Sequence, residues 1–303
     1  MDSQRTLRRQ ISCVGIGLHS GNKVRLSLKP APADFGIRFR RTDIGHHEVP
    51  ATVQHLAGIQ RATLLACNEV SVETVEHLLA ALVSMNIDNV LIELNSPEVP
   101  IMDGSAAPFV YLIQEAGVKT VSAPRRYLKI VRPISISRGD KRIALYPSDH
   151  FKVTYSISYD HPILRHQSRT IRITEDTFID EIAPARTFTF LKDVEMLRQN
   201  GLALGGSLDN AIVLGETGVL NNALRFDDEF VRHKILDAVG DLALVGHPVI
   251  GHLVVHRAGH ALHTEFAARI LSETAAWRLV EGVADAVGSS VLGIKTPAAG
   301  LAS

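Results

Sequence analysis

The sequence predicts an α+β fold made of two similarly built domains. In each half of the chain, strand-like segments come first, and a helix, a further strand and a second helix follow. The pattern starts again after residues 122–126 (SAPRR), a stretch typical of a linker. The chain has 303 residues, 46% of them hydrophobic, which is enough to bury the cores of two ordinary domains. We therefore place the domains at residues 1–124 and 125–303.

The first half contains two alternating segments, residues 23–28 (KVRLSL) and 34–41, which read as half-buried strands. Residues 71–85 carry apolar side chains at helical spacing, with Ser71 as the expected N-cap. We expect a strand at residues 88–94, then a helix at 106–116 that ends at Gly117.

The second half is predicted to contain four strands before its first helix. A helix is expected at residues 228–245, followed by a strand at 250–256 and a last helix at 263–287. Residues 296–303 are small and polar, as in a disordered tail. The four strands are predicted at residues 127–131, 141–146, 151–159 and 168–173.

Composition excludes several classes of protein. Thirty-two basic residues balance 32 acidic ones, so we expect no nucleic-acid partner and no attachment to membranes by overall charge. No apolar run reaches the length of about 18 residues that spans a bilayer, so contact with lipid is at most peripheral. The N-terminus lacks the apolar core of a signal peptide, and only Cys13 and Cys67 are present. We expect a cytoplasmic protein, and a monomer by default.

The helix predicted at 228–245 carries a stripe of polar residues that could bind a metal ion. His233, Asp237 and Asp241 are four residues apart, so they share one face of the helix. His233 and Asp237 lie one turn apart and can hold one cation, whereas Asp241 is too far along and should orient neighbouring groups. The same spacing also describes a solvated face, and by itself it does not decide between the two.

A second candidate is the pair Glu76–His77, which interrupts an apolar helical pattern between Val75 and Leu78. Burial of such groups without partners is costly. His77 added to His233 and Asp237 would make a three-ligand metal site with an open position, and Glu76 would be an adjacent general base. The alternative is an ordinary helix edge that reaches water.

Several separated motifs resemble the UDP-3-O-acyl-N-acetylglucosamine deacetylases of lipid A biosynthesis along nearly the whole chain. They include TVEHLLAAL at residues 74–82, ARTFTF at 185–190, RHKILDAVGDL at 232–242 and AGHALH at 258–263. The other matching segments are GIGLHSG at 15–21, EVPIMDGSAAPF at 98–109 and GGSLDNA at 205–211.

This resemblance implies a zinc ion held by His77, His233 and Asp237, with iron(II) as an alternative metal in the cell. It implies two domains, each a small, mostly antiparallel sheet layered against helices, with the active site in the cleft between them. The catalytic residues that it implies are Glu76, His260, Asp241 and Thr187. The substrate-binding residues that it implies are Lys234, Phe188, Gly206, Ser207 and Leu18.

The roles implied are specific. Glu76 accepts a proton from water, Asp241 orients His260 in the loop after the last strand, and Thr187 helps to hold the oxyanion. Either His260 protonates the leaving amine, or Glu76 performs both proton transfers and His260 acts only through its charge.

The substrate class, a UDP-linked acylated amino-sugar, follows from the resemblance alone. The sequence is also compatible with two other functions. One is a zinc hydrolase that deacetylates a different sugar or a peptide, and the other is a non-catalytic nucleotide-sugar-binding protein.

Overall fold

The computed structural model describes residues 2–58, 62–221 and 223–282. The strands of the first half are β1 (Ser3–Leu7), β2 (Ile11–Ile16), β3 (Lys23–Pro30), β4 (Ile37–Arg41), β5 (Glu48–Pro50), β6 (Leu56–Gly58), β7 (Leu64–Cys67), β8 (Val70–Glu73), β9 (Val90–Leu94) and β10 (Val118–Pro124). The helices of the first half are α1 (Glu76–Ser84) and α2 (Ala107–Ala116).

The second half repeats this mixture of short strands and helices. Its strands are β11 (Arg126–Ile130), β12 (Ile134–Arg138), β13 (Lys141–Tyr146), β14 (Lys152–Ile157), β15 (Gln167–Arg172), β16 (Phe188–Phe190), β17 (Ile212–Leu214), β18 (Val249–Ile250), β19 (His252–His256) and β20 (Trp277–Glu281). Its helices are α3 (Glu175–Thr177), α4 (Leu191–Gln199), α5 (Glu229–Leu242) and α6 (His260–Ser272).

Each half is organised around a five-stranded sheet, and the two sheets have the same topology. The strand orders are β2-β3-β9-β4-β5 and β12-β13-β19-β14-β15. In both sheets the central strand runs parallel to one neighbour, β4 or β14, and the other pairings are antiparallel. This confirms the prediction of two similarly built α+β domains.

The insertions also fall at equivalent points of the two halves. The small sheet β6-β7-β8 lies between β5 and α1, and the segment β16-α4-β17 lies between β15 and α5. Helix α1 therefore corresponds to α5, and both lead into the central strand of their sheet. The boundary between residues 124 and 125 stays a prediction. It is supported by the change of partners there, since β10 pairs with β1 and β11 pairs with β18 and β20.

Alternation predicted the strands well where one face of a sheet is buried. Val24, Leu26 and Leu28 of β3 point into the core, and the polar residues between them are more exposed. The predicted strand at 250–256 is divided at Gly251 into β18 and β19. The described helices are too short or too polar to cross a bilayer.

Two helix predictions were wrong in their bounds. Residues 70–73 form β8, which pairs with β7, so Ser71 lies in a strand and α1 begins only at Glu76. Thr74, which has a φ of 59°, separates the strand from the helix. The last helix spans 260–272 instead of 263–287, because residues 277–281 form β20 against β11. Residues 283–287 and the predicted tail at 296–303 lie outside the described residues.

Helices α1 and α5 pack closely, and Gly240 of α5 makes this approach possible. A β-carbon at position 240 would lie 2.8 Å from the carbonyl carbon of Glu76 and 3.0 Å from its Cα. Such contacts are too short for any side chain, so only glycine fits here.

We expect Gly240→Ala to lower the free energy of unfolding by about 1–3 kcal/mol or more, because the added methyl group forces the two helices apart. Urea unfolding followed by circular dichroism measures this change. Gly218→Ala is the matched control, since a β-carbon at position 218 meets no atom within 4 Å. Equal unfolding midpoints for the two variants would contradict the proposed close packing.

Candidate active site

The first turn of α1 carries Glu76 and His77 into the interior. They are only 3% and 4% exposed, so neither is a helix edge that reaches water. Glu98 fixes the approach to this turn, because its carboxylate accepts hydrogen bonds from the backbone N–H of His19 and the hydroxyl of Thr74. The start of α1 is thereby tied to the loop after β2.

The polar stripe of α5 is buried against α1. His233, Asp237 and Asp241 are 2%, 1% and 0% exposed, so the alternative of a solvated face is wrong. They recur about once per helical turn, and Ile235 and Val239 lie buried on the opposite face of the same helix. The stripe finds partners in both halves of the chain, since His77 and Thr63 contact it from the first half and His260 and His263 from the second.

His77, His233 and Asp237 converge from the two helices. Their ligand atoms all lie within 4.8 Å of one another. Asp237 Oδ1 is 3.6 Å from His77 Nε2 and 3.3 Å from His233 Nε2, and the two rings stand nearly perpendicular at 89°. This Oδ1 is buried, yet it accepts no hydrogen bond from any residue that the structure describes. Two imidazoles and one carboxylate around one point form the donor set of a divalent cation.

The protonation state of His233 also favours a metal site. Burial lowers the pKa of His233 to about 3, even though Asp237 opposes this shift, so the ring is neutral at pH 7. Its Nδ1 donates to the carbonyl of Ala185 at 3.1 Å, which leaves Nε2 and its lone pair facing the cluster. Burial alone would raise the pKa of Asp237, but His233 and Lys234 outweigh it and hold that pKa well below its usual range.

Asp241 organises a second group of side chains one turn further along α5. Its Oδ1 accepts a hydrogen bond from the Thr63 hydroxyl at 2.5 Å. Its Oδ2 accepts from Nδ1 of His260 at 2.8 Å and from Nδ1 of His263 at 2.9 Å. Burial opposes the charge, but the two histidines outweigh it and lower the pKa of Asp241 to about 2. Asp241 is thus a buried carboxylate that orients other groups.

His260 stands between the two groups of residues. It is the first residue of α6 and does not lie in the preceding loop as predicted. Its Nε2 is 3.9 Å from Glu76 Oε1 and 3.8 Å from Asp237 Oδ2. Burial would lower the pKa of His260, but the carboxylates of Asp241, Asp237 and Glu76 raise it to about 10. The ring therefore carries a positive charge at neutral pH.

Glu76 faces His260 across the site. Burial raises the pKa of Glu76, and the nearby rings of His260 and His77 only partly offset this shift. Its Oε2 accepts the backbone N–H of Thr63 at 3.1 Å. Thr63 therefore contacts both Glu76 and Asp241, through its N–H and its hydroxyl. A carboxyl group with a raised pKa beside a cationic imidazole suits proton transfer near neutral pH.

Thr63 and His263 belong to this group of side chains but are not among the residues predicted from the sequence. No local pattern marks Thr63, which is 178 residues from Asp241. His263 follows His260 by three residues, so a helix that begins at 260 would have placed both rings on one face. Nε2 of His263 lies 3.0 Å from the Tyr155 hydroxyl, which ties the ring to the second sheet.

Lys234 and Phe188 lie beside the cluster. The ammonium of Lys234 donates to Asp237 Oδ2 at 2.8 Å and lies 5.5 Å from the centre of the Phe188 ring. The Phe188 ring is 6.3 Å from that of His233 and 5.0 Å from that of Phe230. These two residues, predicted to contact the substrate, are therefore next to the candidate metal position.

Of the remaining predicted residues, Thr187 is close in sequence to the carbonyl that holds His233, and Leu18, Gly206 and Ser207 belong to two adjoining loops. The N–H of Thr187 donates a hydrogen bond to the carbonyl of Gly104, and its carbonyl accepts one from the N–H of Ile212. Thr187 lies two residues after Ala185, whose carbonyl accepts the Nδ1–H of His233. Leu18 is joined to the loop at 205–207, since its carbonyl accepts the N–H of Gly205 at 3.0 Å. A β-carbon on Gly206 would lie 3.7 Å from Leu18 Cδ1. Ser207 is exposed, and its N–H donates to Asn210 Oδ1.

Comparison with known proteins identifies the family of this chain. Residues 4–272 match the model of the UDP-3-O-acyl N-acetylglycosamine deacetylase family. The chain belongs to this family. It is thus an enzyme of a hydrolase family whose members are metalloenzymes, and His77, His233 and Asp237 are arranged as a possible metal site.

Curated relatives in this family are similar over almost their whole length. A UDP-3-O-acyl-N-acetylglucosamine deacetylase from Pseudomonas entomophila is 48% identical over 284 residues, which are 92% of this chain and 94% of the relative. Enzymes with the same name from Syntrophotalea carbinolica and Myxococcus xanthus are each 49% identical, and the alignments cover 92% of this chain and 91% and 89% of those proteins.

We expect His77→Ala and Asp237→Ala to lose most of the bound divalent metal, because each removes one of three ligands from a buried site. Elemental analysis of dialysed protein measures the metal, and circular dichroism verifies the fold. His260→Ala is the control and should keep its metal. Equal loss of metal in the control would make His260 a ligand, and full metal in the other two variants would remove the site.

Proposed function

We propose that the enzyme hydrolyses the N-acetyl group of UDP-3-O-(3-hydroxyacyl)-N-acetylglucosamine to the free amine and acetate, the committed step of lipid A biosynthesis. The family match over residues 4–272 carries this proposal. The site supports it as well, because a three-ligand centre, a carboxyl group and a cationic imidazole are the groups that amide hydrolysis needs.

We propose zinc as the metal, with iron(II) as an alternative in the cell. Two nitrogens and one oxygen fit a tetrahedral zinc site with an open fourth position. When bound there, zinc supplies a Lewis acid that lowers the pKa of water to about 7 and polarises a carbonyl. The protein groups around it carry out the proton transfers.

Glu76 is the proposed general base. It precedes the ligand His77 in α1, and its raised pKa suits the uptake of a proton from water at neutral pH. Since Oε2 is held by the N–H of Thr63, Oε1 is the oxygen directed toward His260. A proton taken up by Oε1 would therefore be held beside the His260 ring, 3.9 Å from Nε2.

His260 is the proposed proton donor to the amine. Asp241 accepts the hydrogen bond from its Nδ1–H, so Nε2–H is directed into the site near Glu76 and Asp237. From this position it can also stabilise the negative charge that develops on the acetyl oxygen. Thr187 is the proposed second donor to the oxyanion. A donor of this kind contributes about 3–4 kcal/mol in the transition state.

The substrate contacts are proposed from the segments that surround this centre. Lys234 is proposed to contact the substrate and Phe188 to form one wall beside the metal position. Leu18, Gly206 and Ser207 are proposed to line the passage for the acyl chain, because their two loops are joined by backbone hydrogen bonds. We also propose that the protein is a cytoplasmic monomer whose contact with membranes is at most peripheral.

Acetate release from purified enzyme tests the function. We expect turnover of the 3-O-acylated UDP-N-acetylglucosamine and far weaker turnover of the non-acylated compound. Glu76→Gln should lower kcat by roughly 10²–10⁴-fold and keep the bound metal, since it removes only the base. Equal turnover of both compounds, or release of acetate from a peptide instead, would indicate a hydrolase with another substrate. Full turnover by Glu76→Gln would show that another group is the base.

The pH dependence of Asp241→Asn tests the role of His260. Asp241 helps to raise the pKa of His260 to about 10, so its neutralisation should bring that pKa back toward 6.5. The acid form of His260 is then lost as the pH rises, and kcat of the variant should fall between pH 6 and 9 more steeply than kcat of the wild type. A bound dication lowers the pKa of His260 in both proteins, which keeps the direction of this difference. Parallel profiles would show that turnover does not need the protonated form of His260, either as a proton donor or as a positive charge.

A further inference from the structure

The edge strand β2 presents large aliphatic side chains to solvent. Its residues alternate, so Ile11 and Cys13 pack against the core, whereas Val14 and Ile16 point outward. Val14 is 51% exposed and Ile16 is 48% exposed. Strand β2 is the outermost strand of the first sheet, and an apolar edge strand is a surface that proteins normally cover or charge.

Each of these aliphatic residues lies opposite a basic residue of β3. In the antiparallel register Val14 pairs with Arg25 and Ile16 pairs with Lys23. Directly opposed residues point to the same side of a sheet, and both basic residues are exposed. The outer face of this hairpin therefore combines two aliphatic and two cationic side chains.

The two cations are not neutralised by neighbouring acids. Within the described ranges, Lys23 and Arg25 form no ion pair, whereas the other cations of this sheet face do. Glu93 pairs with Lys29 at 2.5 Å and with Arg40 at 3.2 Å. The acids of this face are therefore engaged elsewhere, and positive charge remains beside β2.

Leu204 extends the apolar part of this surface. It is 56% exposed, and its N–H donates to the carbonyl of His19 at 3.1 Å. A β-carbon on Gly205 would lie 2.7 Å from Ile16 Cγ2, so the loop that carries Leu204 rests against Ile16. We call the surface formed by Val14, Ile16, Lys23, Arg25 and Leu204 the basic–apolar face.

We propose that the basic–apolar face docks on the surface of a bilayer that contains anionic phospholipid. Aliphatic side chains enter the boundary between headgroups and acyl chains, and adjacent Lys and Arg residues bind the phosphates. The face carries no aromatic side chain on which the bases of a nucleic acid would stack. The formal net charge of the chain is zero, so the attraction to lipid comes from this local arrangement.

The position of the basic–apolar face indicates what docking would achieve, and this inference rests on the proposed function. Leu18 and Gly206, proposed to line the acyl passage, lie two residues after Ile16 at the end of β2 and two residues after Leu204, respectively. An acylated substrate partitions toward membranes because each buried CH₂ group stabilises it there. Docking through this face would bring the mouth of the passage to the place where the substrate collects.

Vesicle flotation with the full-length metal-loaded enzyme tests the proposal. One set of vesicles is phosphatidylcholine, and the other contains roughly 30% phosphatidylglycerol. We expect binding to the second set, weakened by added salt. A double charge reversal, Lys23→Glu with Arg25→Glu, should weaken binding by roughly 25-fold or more, at about fivefold for each lost cation. Val14→Ser with Ile16→Ser should weaken binding by roughly tenfold.

The topology provides a matched control. Strand β13 is the equivalent of β3 in the second sheet, and its residues Lys141 and Arg142 are likewise exposed. Lys141→Glu with Arg142→Glu makes the same change in net charge and should bind vesicles within about twofold of the wild type, because these residues lie on the other domain. Tyr111→Ser, at a side chain 61% exposed on α2, is the control for the aliphatic pair.

Several results would overturn the proposal. Equal loss of binding in the β3 and β13 variants would indicate a general charge effect, and equal binding to both vesicle types would remove the role of the cations. If Val14→Ser with Ile16→Ser raises KM for a water-soluble, short-acyl substrate, the face belongs to the substrate passage. Dimers in sedimentation that dissociate in this variant would make the face a subunit contact. An enzyme that binds vesicles as expected but releases no acetate would refute only the proposed function.

Discussion

The structure depends on the burial of ionisable side chains where α1 packs against α5. Glu76, His77, His233, Asp237 and Asp241 are each at most 4% exposed. Charged groups in such a place destabilise the fold unless they neutralise or pair with each other. The two helices therefore meet at a contact where carboxylates and imidazoles partner each other. Because each buried charge needs a partner, the need for pairing also fixes the positions of the side chains that could take part in catalysis.

The network is asymmetric, and this separates two tasks. Asp237 leaves one buried oxygen without a hydrogen bond from the described residues, whereas both oxygens of Asp241 are engaged by Thr63, His260 and His263. The first carboxylate can therefore bind an ion, and the second cannot do so without losing its partners. Two aspartates on one face of a helix thus acquire different roles from their surroundings.

Sequence predicted the parts of this site that local rules govern. The four-residue spacing of His233, Asp237 and Asp241 follows from helix geometry, and Glu76–His77 stood out as charge within an apolar pattern. Thr63 could not be predicted, because its partners come together only through the tertiary fold. Most of β8 was predicted to be helical, because the alternation of Val70 and Val72 is too short to indicate a strand. The residues of β20 were predicted as a continuation of the last helix, because the partner strand β11 is about half the chain away. Short strands are specified by their neighbours more than by their own residues.

The equivalent placement of the two insertions has a consequence for how this enzyme can vary. Both extra segments follow the fifth strand of their half and precede the helix that carries candidate metal ligands. Residues such as Phe188 belong to the added segment, while His77 and Asp237 belong to the repeated framework. The added segments also contribute Thr63, which holds Glu76 and Asp241, and Ala185, which holds His233. Their length and composition can therefore change only where the chain lies away from these contacts, while the repeated framework keeps the candidate metal ligands in place.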